Sequence, residues 1–267
     1  MKMKLLRRFW LFAVTVVAAV GLAGCNTVPV TGRSQFNLMS TGQEMQLGLT
    51  SFTELKKQAA ISKDVNANAL VQKVGQRIAA VAGADMPDAK WEFVVFESKE
   101  ANAFCLPGGK VGVYTGLLPI SKDEAGLATV LGHEIAHAVA RHGGERMSEV
   151  MLMQAGGQLL DSSLANSDPR WRAVASVAYG VTSQVGVELP HSRKQEAEAD
   201  EIGLIYMARA GYEPEAAVQF WQRFGAFNQQ QGAAQPAFLR THPTDAARVK
   251  HLQELLPRAK AEFRPAK

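Results

Sequence analysis

"LATVLGHEIAHAVARHGG", residues 127–144, sets two histidines four apart with a glutamate beside the first. Stepping about 100° per residue from His133 places His137 near 40°, Gly126 near 20° and Ala140 near 340°. Leu127, Leu131, Ile135, Ala138 and Val139 fall between roughly 120° and 240°, so one face is apolar and the imidazoles share the other with small residues. Two neutral imidazoles one turn apart can both reach one tetrahedral Zn²⁺. Glu134, near 100°, flanks such a metal without binding it and suits a general base acting on water there. The plainer alternative is a helix with solvated histidines. Against it, the helix is otherwise apolar, and unpaired histidines are costly to bury. His142, just before Gly143-Gly144, reads as interacting with the helix end.

Two histidines need a third protein ligand. The stretch "RKQEAEADEIGLIYMARAG" (193–211) supplies the best candidate. With Glu196 at zero, Asp200 lies near 40°, Met207 near 20°, Gly203 near 340° and Leu204 near 80°. Glu198, Glu201 and Arg209 fall between roughly 140° and 220°, a wet face made imperfect by Ile205. Glu196 and Asp200 therefore face a packed neighbour across a glycine that permits close approach. Acids on a buried stripe need a counter-charge. A metal provides it, with Glu196 as ligand and Asp200 accepting an imidazole N–H to fix its tautomer. A surface-acid cluster capping a helix is the alternative.

Around these motifs, "DVNANALVQKVGQRIAAVAG" (64–83) has helical spacing, and "WEFVVFES" (91–98) and "KVGVYTGLL" (110–118) read as strands joined through "LPGG". Beyond Asp123 the chain looks helical, near 123–142, 145–160, 170–185, 193–210, 214–228 and 244–256. A few strands followed by helices predicts an α+β fold, mostly helical, with a small sheet next to the His133 helix. "KVGVYTG" is either an edge strand that takes an extended peptide by β-addition or an internal one. "GERMSEVMLMQAGGQLL" (144–160) is either a mobile apolar cover or a packed helix.

The N-terminus reads as a targeting segment. "MKMKLLRR" is basic, and the apolar run from Phe9 to Ala23 suits a secretory signal better than a span. It ends in "LAGC", similar to the lipobox of bacterial lipoproteins, which predicts lipidation of Cys25; an ordinary signal peptide is the alternative. The segment carries four bases and no acids, so the remainder holds 25 basic and 25 acidic residues and no nucleic-acid footprint. With Cys25 lipidated, Cys105 has no partner for a disulfide. Asn26 stands where an aspartate would resemble the inner-membrane retention signal, which favours the periplasmic face of the outer membrane. The predicted organisation is a signal at 1–24, a tether at 25–45, a metalloprotease domain at 46–257 and a tail at 258–267.

"HEIAHAVARHGG" and "SRKQEAEADEIG" together resemble the gluzincin peptidases that include the CAAX prenyl protease and the mitochondrial Oma protease. "NAFCLPGGKVGVYTGLL" resembles the segment before that family's active helix. With the lipobox, the chain resembles the bacterial periplasmic LoiP/BepA-like lipoprotein branch. The resemblance implies one zinc held by His133, His137 and Glu196, Glu134 as catalytic base and Asp200 as its supporting acid. On this likeness Arg193 orients the helix or stabilises the oxyanion; a plain surface or carboxylate-pairing arginine is the alternative. His242, before Pro243, matches a histidine that can fill the open zinc position and hold the site inhibited; an exposed loop histidine is the alternative. The implied activity is endopeptidase cleavage of unfolded or misassembled envelope proteins, with outer-membrane lipid at Cys25 and outer-membrane assembly machinery as further partners. A lipid-anchored chaperone with a structural or self-blocked zinc site is the rival. Unlike some members of that family, the chain is expected to carry neither a C-terminal repeat domain nor transmembrane helices.

Overall fold

The computed structural model describes residues 25–165, 167–183, 189–230, 238–239, 242 and 246–265. The predicted signal and most of the lipobox lie outside them, as does the expected helix start at Thr244 and Asp245. Strands β1 (Cys25–Thr27) and β2 (Ser34–Phe36) pair antiparallel as a hairpin. Helices α1 (Thr41–Gln58) and α2 (Val65–Ala82) follow. Next come β3 (Glu92–Phe96), β4 (Ala103–Leu106) and β5 (Lys110–Tyr114). A 3₁₀ turn at Thr115–Leu117 leads into the short α3 (Leu118–Ser121). The rest is helical: α4 (Glu124–Val139), α5 (His142–Ser163), α6 (Pro169–Ser183), α7 (Leu189–Arg209), α8 (Glu215–Gln230) and α9 (Ala246–Ala261). The α+β class, mostly helical with a small sheet beside the His133 helix, is the one the sequence predicts. Among the described residues no helix is long and apolar enough to cross a membrane.

Local chemistry caps the helix starts. Ser40 and Gln43 form a capping box on α1, Asp64 accepts from the amides of Asn66 and Ala67 on α2, and Asp123 accepts from Gly126 on α4. Helix α4 is the axle of the domain. Every residue from Gly126 to Val139 is buried, and α2, β4, α7 and α8 pack around it. A helix surrounded on all sides needs no wet face, so its polar stripe is buried too. The approach of α7 is set by two glycines: a Cβ on Gly203 would lie 2.8 Å from the Gly132 carbonyl carbon, and one on Gly132 2.8 Å from the Gly203 oxygen. Backbones touch at that crossing.

The sheet corrects the reading of "KVGVYTG". Its order is β3-β5-β4, with β5 parallel to β3 and antiparallel to β4. β5 is internal, and "AFCL", unassigned in the sequence reading, is an edge strand. Its three-residue turn, Pro107-Gly108-Gly109, places both glycines at positive φ. Strand β5 ends at Tyr114, four residues before the predicted limit. There Gly116 packs against the Lys99 carbonyl, where a Cβ would come within 2.3 Å, and the chain turns helical.

Three further expectations are revised. Residues 25–45 are not a plain tether, since they fold into the β1–β2 hairpin and the first turn of α1. The expected helix over 123–142 stops at Val139, because Arg141 adopts a left-handed conformation, φ 55°. That strained turn is held by Arg141 donating to Glu44 Oε1 and Oε2 at 2.9 and 3.0 Å and to the Met39 carbonyl at 2.6 Å. At the C-terminus, α9 runs to Ala261, into the predicted tail. Beyond its first turns α5 is no core helix: Met147, Met151, Leu152 and Leu159 are exposed, and Tyr179 of α6 packs on Gly156 and donates to the Met153 carbonyl.

Candidate metal centre

His133 and His137 project from the middle of α4, Glu196 from α7, and His242 from the segment between α8 and α9. One ligand atom from each lies within 4.8 Å of all the others. His133 Nε2 is 3.1 Å from His137 Nε2 and 3.2 Å from His242 Nδ1. Glu196 Oε2 is 3.3 Å from His133 Nε2 and Oε1 is 3.2 Å from His137 Nε2, while His242 Nδ1 sits 3.0 Å from Oε2. Three imidazole nitrogens and a carboxylate oxygen thus converge on one point.

These donors fit zinc. Their atoms lie close enough to share one ion, and a three-histidine, one-carboxylate set is typical zinc chemistry. Electrostatics favour positive charge here. Burial and Arg248 push the His133 ring down, yet Asp200 and Glu196 outweigh them and hold it up to about 9. Burial opposes ionisation of Glu196, but hydrogen bonds from His133, His137 and His242 hold its carboxyl far below the ordinary range. Burial dominates at His137 and keeps that ring neutral, the form a metal ligand needs.

Glu134 is placed beside the donors rather than among them. Its Oε1 is buried without a hydrogen-bond partner, and His242 Nε2 lies 3.5 Å away. Burial raises its carboxyl pKa, as a proton acceptor requires. It opens on a cleft of about 560 Å³, walled by β4 from Asn102 to Leu106 and by His137, Glu196 and His242. Tyr114 donates to the Asn102 carbonyl. The antiparallel alternation then turns the N–H and C=O groups of Ala103 and Cys105 to the unpaired side of β4.

The outer nitrogens of both α4 histidines are held. His133 Nδ1 is 2.9 Å from Asp200 Oδ1. Asp200 receives a bidentate pair from Arg248 of α9, at 2.8 Å from Nε and 2.7 Å from Nη2. The Arg248 guanidinium in turn lies 3.4 Å from the Trp221 ring centroid. His137 Nδ1 is 2.8 Å from His142 Nδ1, and His142 Nε2 is 2.9 Å from Glu198 Oε2. Neither His142 nor Glu198 is where the sequence reading put it. His142 opens α5, fully buried beneath His137, because the Arg141 turn folds it back. Glu198, expected on the wet face, is buried because α7 is covered on both sides, by α4 and by the β1–β2 hairpin. Arg33 of that hairpin donates to Glu198 and Glu145, and Thr31 also donates to Glu198. Glu201 keeps to the outer face, paired with Arg258. Arg193 is exposed and lines the opening toward Arg248 and His251, outside the cleft that holds Glu134.

The sequence reading missed Arg248, Arg33 and Trp221. Arg248 stood in view, six residues past His242 and one turn into a helix, but an arginine there has no spacing that marks it.

Residues 66–256 match Peptidase family M48. The chain is 37% identical over 238 residues to the mitochondrial metalloendopeptidase OMA1 of Schizosaccharomyces pombe, covering 88% of this chain and 67% of that one. It is 33% identical over 242 residues to the Homo sapiens mitochondrial metalloendopeptidase OMA1, covering 86% and 46%. It is 28% identical over 239 residues to the beta-barrel assembly-enhancing protease of Escherichia coli K12, covering 87% and 48%. The chain spans about two thirds of the fission-yeast relative and about half of the other two. Mitochondrial and bacterial proteins both appear, so the likeness supports the broad family and leaves the lipoprotein branch to separate argument. Since the match runs across α4, α7 and the His242 segment that together build the donor set, the chain belongs to peptidase family M48 and is a zinc-dependent metalloendopeptidase.

Proposed function

We propose that this protease cuts unfolded or misassembled envelope proteins while anchored by lipid at Cys25 to the periplasmic face of the outer membrane. The observation that carries the substrate class is the free edge of β4 along the cleft. An edge strand binds an extended segment through main-chain hydrogen bonds, reading backbone more than side chains, and only unfolded chains offer such segments freely. The anchoring rests on the "LAGC" stretch before Cys25. A beta-barrel assembly-enhancing protease among the relatives supports outer-membrane clients and contact with assembly machinery.

His133, His137 and Glu196 would hold the zinc. When bound, zinc supplies Lewis acidity, polarising a carbonyl and lowering the pKa of water toward about 7. Ala103 and Cys105 would align the peptide along the cleft. Glu134 Oε1 takes a proton from water there and returns it to the leaving amine. Asp200 keeps the Nδ1 proton on His133, leaving Nε2 free as a donor atom. His242 lies close to both Glu134 and the other donors, which supports the reading of a self-blocked resting state that its withdrawal would open.

The blocked position of His242 also favours a second reading, a lipid-anchored chaperone that seldom or never cleaves. The test uses His242→Ala and Glu134→Gln, with unfolded casein and the folded protein as substrates. Protease function predicts that His242→Ala keeps zinc and cleaves unfolded casein faster than wild type, with folded substrates spared. Cellular function retained in full by Glu134→Gln would favour the chaperone. Loss of membrane fractionation in Cys25→Ala tests the anchor.

A further inference from the structure

We propose that the β1–β2 hairpin is a working part of the metal site, holding the His137 ring in its ligand orientation through Arg33, Glu198 and His142. The inference rests on the zinc reading above and extends it to residues on the hairpin, α5 and α7.

Direction of donation fixes the chain of contacts. With zinc held among His137 Nε2, Glu196 and the other donors, the Nε2 lone pair would be turned to the metal and the ring proton would sit on Nδ1. Nδ1–H then donates to His142 Nδ1, 2.8 Å away. His142, accepting at Nδ1, carries its own proton on Nε2 and donates to Glu198 Oε2 at 2.9 Å. Glu198 Oε2 also accepts from Arg33 Nε at 2.7 Å, and Oε1 accepts from Thr31. The remaining arm of Arg33 forms a fork with Glu145, at 2.7 and 2.8 Å. Each donor meets an acceptor in a consistent sense, with Glu198 Oε2 accepting twice, and His142, Glu145 and Glu198 are all buried. Only one tautomer of His137 satisfies the whole chain, and it is the tautomer that offers Nε2 to a metal.

The arrangement repeats on the other ligand. His133 meets Asp200, and Asp200 meets Arg248 from α9; His137 meets His142, then Glu198, then Arg33 from the hairpin. In each case an acid orients the imidazole and a distant arginine fixes the acid. His142, Glu198 and Arg33 are positioning residues: they reach the reaction only through His137. Removing such outer partners typically weakens metal binding by about 10–100-fold.

The test measures zinc transfer from the full chain to a fluorescent chelator. His142→Phe fills the buried space without an acceptor, and Glu198→Gln removes the charge. Both are expected to lose zinc at least about tenfold faster than wild type, with circular dichroism unchanged. Arg33→Ala is expected to do the same; should it fail to fold, Arg33→Lys, which keeps charge but loses the fork, takes its place. Glu201→Gln, whose partner Arg258 lies on the surface, should match wild type. Ring ¹⁵N resonances of zinc-loaded protein should show a hydrogen-bonded Nδ1–H on His137 that disappears in His142→Phe. A folded His142→Phe with wild-type zinc loss and unchanged His137 resonances would overturn the proposal. So would a folded Arg33 variant that holds zinc as wild type does, because the hairpin would then play no part. Wild type that fails to retain zinc would instead sink the zinc reading itself.

Discussion

At the scale of the residue, the site divides into groups legible from spacing and groups that are not. His133, Glu134 and His137 share one helix, so 100° steps place them correctly, and the same arithmetic pairs Glu196 with Asp200. The wheel failed for Glu198 because it assumes a helix has one dry face, whereas α7 is covered on two. His142, Arg33 and Arg248 were invisible for a related reason. Their partners are contributed from far along the chain, and no local period encodes a long-range ion pair. The revised expectation is that Glu196→Gln strips zinc directly, Glu198→Gln loosens it, and Glu201→Gln does neither; metal content after dialysis against chelator separates the three. Acid stability follows from the same carboxylates. Burial alone would raise Glu145 and Glu198, but hydrogen bonds from Arg33, with Gln195 and His142, hold both below the ordinary value. A depressed carboxyl contributes stability above its unfolded pKa, about 4.3, and loses it as pH falls toward the folded value. Urea midpoints should therefore hold from neutral pH to about 5 and drop below 4. Arg33→Ala should start lower at pH 7 and lose less on acidification. Parallel pH curves for the two proteins would show that these ion pairs contribute nothing.

At the scale of the element, the crossing of α4 and α7 governs everything else, since it sets how far Glu196 stands from His133 and His137. The sequence suggested the crossing through Gly203; its counterpart, Gly132, was not separable from other small residues on the helix. A Val at 203 would drive side-chain atoms into the α4 backbone. Overpacking typically costs about 1–3 kcal/mol, and rigid backbone on the facing side argues for the upper end. Gly203→Val should lower the melting temperature and reduce zinc content together; a variant that melts like wild type with full zinc would show that the helices can separate without harm. The edge strand β4 is the element least legible in sequence. Its four residues lie beside a Pro-Gly-Gly turn and lack clear alternation, so β5, with three valine-type and aromatic positions, drew the assignment. Helix α5 settles half of the question about residues 144–160. It is exposed and apolar after its first turns, which rules out a core helix, and limited proteolysis tests the cover. Nicking near 154–158 that a peptide-like inhibitor suppresses supports a moving cover, and uniform resistance opposes it.

At the scale of the whole molecule, both ends of the described chain are recruited to one site. The hairpin near Cys25 reaches His137 through Glu198, and α9 reaches His133 through Asp200, with Trp221 supporting Arg248 from α8. Arg248 and Asp200 are both buried, so Arg248→Ala leaves a buried carboxylate without its fork, a change that costs about 3–5 kcal/mol in comparable pairs. Equilibrium unfolding should show a loss of that order, with Arg248→Lys intermediate; a loss below about 1 kcal/mol would mean that water replaces the guanidinium freely. The central claim is that His133, His137 and Glu196 hold one zinc while Glu134 moves the proton. Metal content and casein cleavage measured on the same preparations of wild type and Glu134→Gln test it most directly. One zinc per chain in both proteins is predicted, with cleavage in wild type that chelator abolishes and zinc restores, and a loss of roughly 10²–10⁴-fold in the variant. Zinc-free wild type that still cleaves, or Glu134→Gln that cleaves at the wild-type rate, would contradict the account.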